Sequence, residues 1–250
     1  MPLARDFGPL DVTDFTVGAM LRAGIAIRRS VRGADSLEEA AELVTRYLYE
    51  HCADPDSGER SCALVRFYAT LPFDKLDASL KDFAQAQLHG QAASGRMRCL
   101  TLLATAGDEP AWNSRLRSHG HRTIALPSAE AIRGAPMIMR LFEDLGLDID
   151  ALVAGNAPVM RSGDSRTYDV FHVEEAQGSP FIPAQKEFVE AFGVRSVVGF
   201  GGLLRSGELF SVILFSRRPI PAASAARFRT IALDVRSALF MFDETKVWRG

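Results

Sequence analysis

The chain has 250 residues, 47% of them hydrophobic and 24% charged, and its formal net charge at pH 7 is −2. This composition excludes disorder and collagen-like repeats, and the balanced charge excludes a whole-chain basic field that would attract nucleic acid or acidic membranes. Three cysteines are too few for a disulfide framework, and no apolar run reaches the ~18 residues that cross a bilayer. We therefore expect a cytoplasmic globular protein that contacts neither nucleic acid nor membrane.

The N-terminal part of the sequence predicts a loose leader over residues 1–10 and then two helices. Apolar residues from Val17 to Val31 recur at helical spacing and predict a first, amphipathic helix. Ser36 and Glu39 form a capping box, which predicts the start of a second helix that runs to about His51.

Strands are predicted from runs of β-branched and aromatic residues, and helices from Pro starts, Gly stops and helical periodicity. In chain order, the pattern predicts a strand over 61–70, a helix over 74–88, strands over 97–105 and 122–126, helices from 127 and over 136–146, loop over 150–167, a strand over 168–173 and a short helix over 183–193. Two strong strands over 194–204 and 208–217 follow, joined by a hairpin at Gly207, and the last helix covers 222–242.

The layers of the fold follow from the strand pattern. Strands joined by a tight hairpin imply an antiparallel sheet, and helices at both ends of the chain can pack together on one of its faces. The strand over 208–217 is apolar at successive positions, so its second face must also be covered. We expect segment 107–192 to form that cover, with a cavity beneath it.

Four polar residues interrupt the otherwise apolar first strands. Arg66 and Tyr68 are two residues apart and should share a face, and the same spacing rule places Thr101 and Thr105 together. Buried polar groups need partners. A small molecule in the cavity is one candidate partner, and the covering segment is the other.

Histidines form a second candidate site. His119 and His121 would point to the same side of a strand, and His172 on another strand could be a third metal ligand. The alternatives are exposed loop histidines, or an anion site formed by these residues with their basic neighbours Arg115, Arg117 and Arg122.

Cysteines and a glycine motif complete the candidates. Cys52 and Cys62 could form a redox pair, whereas Cys62 and Cys99 on strands are more typical of small buried side chains.

The glycines of 199–202 resemble part of a dinucleotide-binding loop, but the third spaced glycine is missing and a strand follows. We therefore expect no nucleotide at this loop.

The last third of the sequence resembles the C-terminal half of a GAF domain. Gly193-Val-Arg-Ser196 leads through a strand and a glycine hairpin into a strand that ends in Ser-Arg-Arg-Pro, and a closing helix follows. The resemblance covers roughly residues 36–242 and is strong over 193–240. In place of the usual Pro-Leu after the first of these strands stands Gly201-Gly-Leu203, and the stretch between Thr70 and Met97 is longer than usual.

The resemblance implies an α+β, GAF-like fold: a central antiparallel sheet with terminal helices on one face and a variable helix and loop segment on the other. The resemblance divides the chain into an N-terminal helix (1–33), a sensory domain (34–242) and a tail (243–250).

The resemblance also implies a function. The chain would be a non-enzymatic sensor of a bacterial signalling system that binds an unidentified small molecule, with no cofactor specified, and that acts on an output protein in trans. The closing helix carries Phe228, Ile231, Val235, Ala238 and Phe242 as an apolar seam, which the first helix could cover within one chain or which could form a four-helix bundle between two copies; we expect the homodimer. A thiol- or metal-dependent redox enzyme and a dimerisation scaffold without ligand are the alternatives.

Overall fold

An antiparallel six-stranded sheet in the order β3-β2-β1-β6-β5-β4 forms the centre of the molecule. The structure is a computed structural model and describes residues 8–118, 120–154, 170–242 and 246–249. The strands are β1 (Cys62–Pro72), β2 (Arg98–Gly107), β3 (Thr123–Ala125), β4 (Phe171–Val173), β5 (Ser196–Leu203) and β6 (Leu209–Ser216). The two three-residue strands lie at the edges of the sheet, and the four longer strands form its centre.

The α-helices of the described residues are α1 (Val17–Ser30), α2 (Leu37–His51), α3 (Ala78–Ala86), α4 (Ala129–Arg133), α5 (Pro136–Asp144), α6 (Ile149–Val153) and α7 (Ala222–Leu239). Short 3-10 turns cover Val31–Gly33, Phe73–Lys75 and Pro110–Asn113, and a π-helical turn covers Gln185–Glu190. No helix in the described ranges is both long and apolar enough to cross a membrane.

Both faces of the sheet are covered, as the apolar strands predicted. On one face α1, α2 and α7 bury a core that includes Phe67, Phe210 and Phe228. On the other face, a second core joins the sheet to α4, α5, α6 and the segment around the π-helical turn, with Phe142 and Phe171 fully buried. The α+β arrangement expected from the sequence is therefore confirmed.

The capping box at α2 is present with one change. The Ser36 hydroxyl accepts a hydrogen bond from the Glu39 amide at 3.1 Å, as predicted. The Glu39 carboxylate reaches back to the amide of Asp35 at 3.0 Å, one residue before the cap. Two amides at the helix start are thus satisfied by side chains.

The glycines of 199–202 serve strand packing. A Cβ on Gly201 would lie 2.2 Å from the carbonyl oxygen of Phe210 on β6, and a Cβ on Gly199 would crowd Leu141 and Phe171. The hairpin glycine, Gly207, has a positive φ of 83°, which a residue with a Cβ adopts poorly.

Two expectations about loops are wrong. Leu10 was expected in a loose leader, but it is 1% exposed and its amide donates to the carbonyl of His51 at 2.7 Å. Residues 150–153 were expected to belong to a loop over 150–167, but they form part of α6, whose N-terminus is capped by the Asp148 side chain. Residues 1–7, 155–169 and 243–245 lie outside the described ranges, and with them parts of the predicted leader, loop, 168–173 strand and tail.

Candidate ligand-binding site

A cavity of about 320 Å³ lies between the sheet and its 107–192 cover, where the strand pattern had predicted one. The sheet supplies its floor, and α5, the 3-10 turn Pro110–Asn113 and residues 180–188 supply its walls and roof. Its lining residues are Leu64, Arg66, Tyr68, Leu100, Trp112, His121, Ile124, Ala135, Pro136, Met137, Ile138, Leu141, Pro180, Ile182, Pro183, Ala184, Phe188, Ile213 and Phe215.

Aromatic side chains close one end of the cavity. The rings of Trp112 and Phe188 lie 5.6 Å apart, and Phe188 packs edge-on against Phe215 on β6 at 5.0 Å. Pro136 is the first residue of α5, where an N–H would have no partner within the helix, so its absence loses no hydrogen bond. This helix places Met137 and Leu141 over the sheet. Most of the wall is therefore apolar.

Arg66 is the cationic group on the floor. One terminal nitrogen donates to the Tyr68 hydroxyl at 3.2 Å, and the other lies 3.4 Å from the Ser118 hydroxyl, whereas its buried Nε has no partner. Within the described ranges, no carboxylate forms an ion pair with this guanidinium. A half-buried positive charge in an apolar cavity is thus held by two neutral hydroxyls.

A β-bulge separates the two threonines that the spacing rule had placed together. Phe67 pairs with Ala104 and Tyr68 with Leu102, so Leu103 is the extra residue of β2. The bulge reverses the alternation of side chains along β2. Thr105 pairs with Arg66 on the cavity side, while Thr101 falls on the opposite face.

The hydrogen bonds of the two threonines differ accordingly. The Thr101 hydroxyl contacts the Thr123 hydroxyl at 3.0 Å and the Cys99 carbonyl at 3.1 Å, so it is satisfied by the protein. The Thr105 hydroxyl is buried and has no partner. Of the two, only Thr105 shares the cavity-side face of the sheet with Arg66.

Ser211 is a site residue that sequence reasoning missed. It pairs with Tyr68 across β1 and β6, two residues from the cavity-lining Ile213, and its buried hydroxyl has no partner. A lone serine within the apolar stretch Leu209–Phe215 was the available clue. Ser211, Thr105 and Arg66 therefore give the cavity side of the floor three unsatisfied polar atoms.

The predicted histidine cluster is not assembled by the fold. His121 lines the cavity next to β3, whereas His172 lies on β4 at the other edge of the sheet, with its Nε2 2.8 Å from the carbonyl oxygen of Ile220. Six strands at ~4.8 Å spacing put these edges roughly 24 Å apart, so the two cannot share a metal. His119 lies outside the described ranges, and among the residues within them no group of three metal-ligating side chains comes together.

The predicted arginine cluster is divided. Arg115 pairs with Glu38 and, at 3.2 Å, with Asp77, and its guanidinium stacks over the Trp248 ring. Arg117 and Arg122 line a separate open groove, which Ser118 connects to Arg66. Arg115 is thus structural, and the other two lie in the neighbouring groove and not in the cavity.

The cysteines lie away from the cavity. Cys52 and Cys62 are adjacent and fully buried, and the hydrogen bond between their thiols, together with burial, raises the pKa of Cys52. Burial raises the pKa of Cys99 to about 12. Nucleophilic cysteines instead need a lowered pKa and access to solvent, so nothing in these surroundings favours thiol catalysis.

Comparisons with known proteins identify structural neighbours only. No family model matches the chain, and no curated protein does. The chain is similar to a GAF domain of a phosphoenolpyruvate-protein phosphotransferase from Coxiella burnetii, with 15% identity and a TM-score of 0.45 over 88% of this chain and 92% of that one. It is also similar to an N-acylhomoserine lactone-dependent LuxR family transcription factor from Burkholderia cenocepacia (13% identity, TM-score 0.44, covering 89% and 94%) and to a phycoerythrobilin-bound GAF domain of a cyanobacterial phytochrome (13%, 0.42, 88% and 94%). These likenesses are too weak to carry a function, and the sheet order with its two covered faces is what makes the described chain GAF-like in fold.

Proposed function

We propose that this chain is a non-enzymatic sensory domain that binds a small molecule in the cavity beneath residues 107–192. The observation that carries the proposal is a mainly apolar cavity of about 320 Å³ whose floor holds an arginine that pairs with no carboxylate of the described ranges. Binding pockets for small molecules combine apolar walls with a few convergent polar groups in this way. Arg66, Tyr68, Thr105, Ser211 and His121 are the proposed contacts.

The sheet separates the cavity from the helical layer, which gives binding a path to the helices: β1 and β2 of the floor contact α2, and β5, the neighbour of β6, contacts α7. Phe67 and Phe210 alternate with floor residues and stack at 5.8 Å on the opposite face, and Phe200 of β5 packs against Phe228 of α7 at 5.6 Å. A ligand that shifts the floor would shift this packing, and with it the balance between two arrangements of the helices. We propose that an output protein acting in trans, or a second copy of the chain, responds to α1 and α7.

Native mass spectrometry of the chain purified from its own cells tests the binding step. We expect an additional small-molecule mass on the wild-type protein. Ile213→Trp should fill the cavity and remove that mass, whereas the volume-conserving Ile213→Leu should keep it. A wild-type protein without bound mass, and without a thermal shift across a small-molecule library, would contradict the proposal.

A further inference from the structure

The charge on Arg66 limits what can occupy the cavity. Removing a guanidinium from water is costly unless an anion compensates it. Elsewhere in the sheet the chain follows this rule, because Arg98 is buried against the Glu208 carboxylate at 3.0 Å. Among the residues that the structure describes, Arg66 has only the hydroxyls of Tyr68 and Ser118 as partners. The missing partner is therefore an anionic group supplied by the occupant.

The number of negative charges follows from the other polar groups. Tyr68 is neutral, and His121 is the remaining titratable group on the wall. The neighbouring hydroxyls of Thr105, Ser211 and Ser118 are neutral as well. Partial burial, and then the positive charge of Arg66, lower the pKa of His121, so this ring is uncharged at neutral pH. One guanidinium balances one negative charge, and its planar donors match a carboxylate in geometry.

The rest of the occupant must be apolar and small. Trp112, Phe188 and Phe215 form an aromatic end, and α5 adds aliphatic side chains. At a packing density of ~0.7, a cavity of 320 Å³ holds about 10–15 non-hydrogen atoms.

We propose, on the basis of the function proposed above, that the cavity takes a small monocarboxylate with an aromatic or branched aliphatic body and pairs its carboxylate with Arg66. The body lies against the aromatic end, and the hydroxyls of Thr105 and Ser211 are available to the head group. Tyr68 and Ser118 hold the Arg66 side chain in place for the carboxylate, and the unpaired charge lowers the stability of the empty protein.

Matched acids and amides test the class of ligand. Isothermal titration calorimetry at pH 7.5 compares phenylacetate, 3-phenylpropanoate and 4-methylpentanoate with their primary amides, which have the same shape and no charge. We expect at least one acid to bind 10- to 100-fold more tightly than its amide, since a hydrogen-bonded charge pair is lost in the amide. Arg66→Met should abolish this preference, and Arg66→Lys should retain part of it.

A second measurement separates loss of binding from loss of folding. Arg66→Met removes an uncompensated charge and keeps an apolar stem, so the empty variant should melt no lower than the empty wild type. If no acid is preferred over its amide, the carboxylate class is wrong. If the amides bind as well as the acids and Ile213→Trp removes both, the cavity binds small molecules as proposed, but the proposed carboxylate class of ligand is wrong. If no probe binds, and the purified protein carries no small-molecule mass, the proposed sensory function is wrong as well.

Discussion

His121 combines an unusual backbone with an unusual charge environment. Its φ of 55° lies in the left-handed region, which side chains other than Gly, Asn and Asp seldom adopt. Its ring lines the cavity while one side of the residue stays exposed. Partial burial and the nearby Arg66 charge lower its pKa from the ordinary 6.5.

This pKa shift makes the stability of the empty protein depend on pH in a defined direction. Above pH 6.5 the imidazole is neutral in both the folded and unfolded chain, so its contribution is complete. As the pH falls below 6.5, the unfolded chain takes up the proton first, and stability is lost until the folded His121 is protonated too. We expect a small loss of unfolding free energy between pH 7 and 5, measured by denaturant titration, that is absent in His121→Asn. Asn tolerates a positive φ, so an identical pH profile in both proteins would show that His121 does not contribute.

Individual site residues could be predicted where polarity interrupts an apolar strand. Arg66 and Tyr68 stand out in this way, and Ser211 was open to the same reasoning. The placement of Thr101 failed because a β-bulge belongs to the pairing of two strands and leaves no mark in the sequence of one. His172 failed for a related reason, since the order of strands in a sheet does not follow from their separate patterns.

Among the elements, the strands and most helices were predictable from the sequence, including the short β3, β4 and α4, whereas α6 was not. The β5–β6 hairpin follows from Gly207 between two apolar runs, and α7 from its apolar spacing. In contrast, α6 has five residues, too few to show a helical period, and only its Asp148 cap was visible. The capping residues therefore carry more information than periodicity for helices of this length.

The β5–β6 hairpin is tied to β2 by a buried ion pair. Arg98 and Glu208 are 7% and 9% exposed, their Nε and Oε2 atoms are 3.0 Å apart, and Thr70 donates to the same carboxylate. Arg98 also donates to the carbonyl of Leu152 at 2.8 Å, at the C-terminal end of α6. One guanidinium thus links two strands to the cover of the cavity.

Glu208→Leu should destabilise the protein by about 3 kcal/mol, because it leaves the Arg98 charge buried without its partner. The double variant Arg98→Met, Glu208→Leu removes both charges and should recover most of that loss in urea unfolding experiments. Equal destabilisation by the single and double variants would show that the loss comes from altered packing and not from the unpaired charge.

At the scale of the whole molecule, α1 and α7 pair within one chain and still leave apolar residues outside. Phe15 packs on Phe228 with ring centroids 4.9 Å apart, and Arg28 pairs with Asp234. Most of the seam predicted on α7 is used within the monomer, since Phe228, Ile231 and Val235 are buried and Ala238 and Phe242 are partly buried against the same core. The predicted homodimer must therefore use other residues.

An apolar stripe on α1 is the surface that could form a dimer interface in place of the seam on α7. Val17, Leu21 and Ile25 are 55%, 56% and 38% exposed and recur every four residues along one helical face, and Leu233 of α7 is 49% exposed. We propose that two copies bury this stripe across a two-fold axis, forming a four-helix bundle. Removing residues 1–33 would not test this cleanly, because Leu10, Phe15 and Ile27 belong to the core of each monomer.

A single charge on the stripe makes the sharper test. In sedimentation velocity at tens of micromolar, the wild-type chain should be a dimer and Leu21→Glu should be a folded monomer, since the new carboxylate would face its own symmetry mate near the axis. Leu116 is a matched control, because it is equally apolar, 64% exposed and distant from α1 in the chain, so Leu116→Glu should leave the dimer intact. A wild-type monomer at this concentration would show that the stripe on α1 stays open to solvent or to another protein. A Leu21→Glu dimer would place the two-fold contact on a different surface.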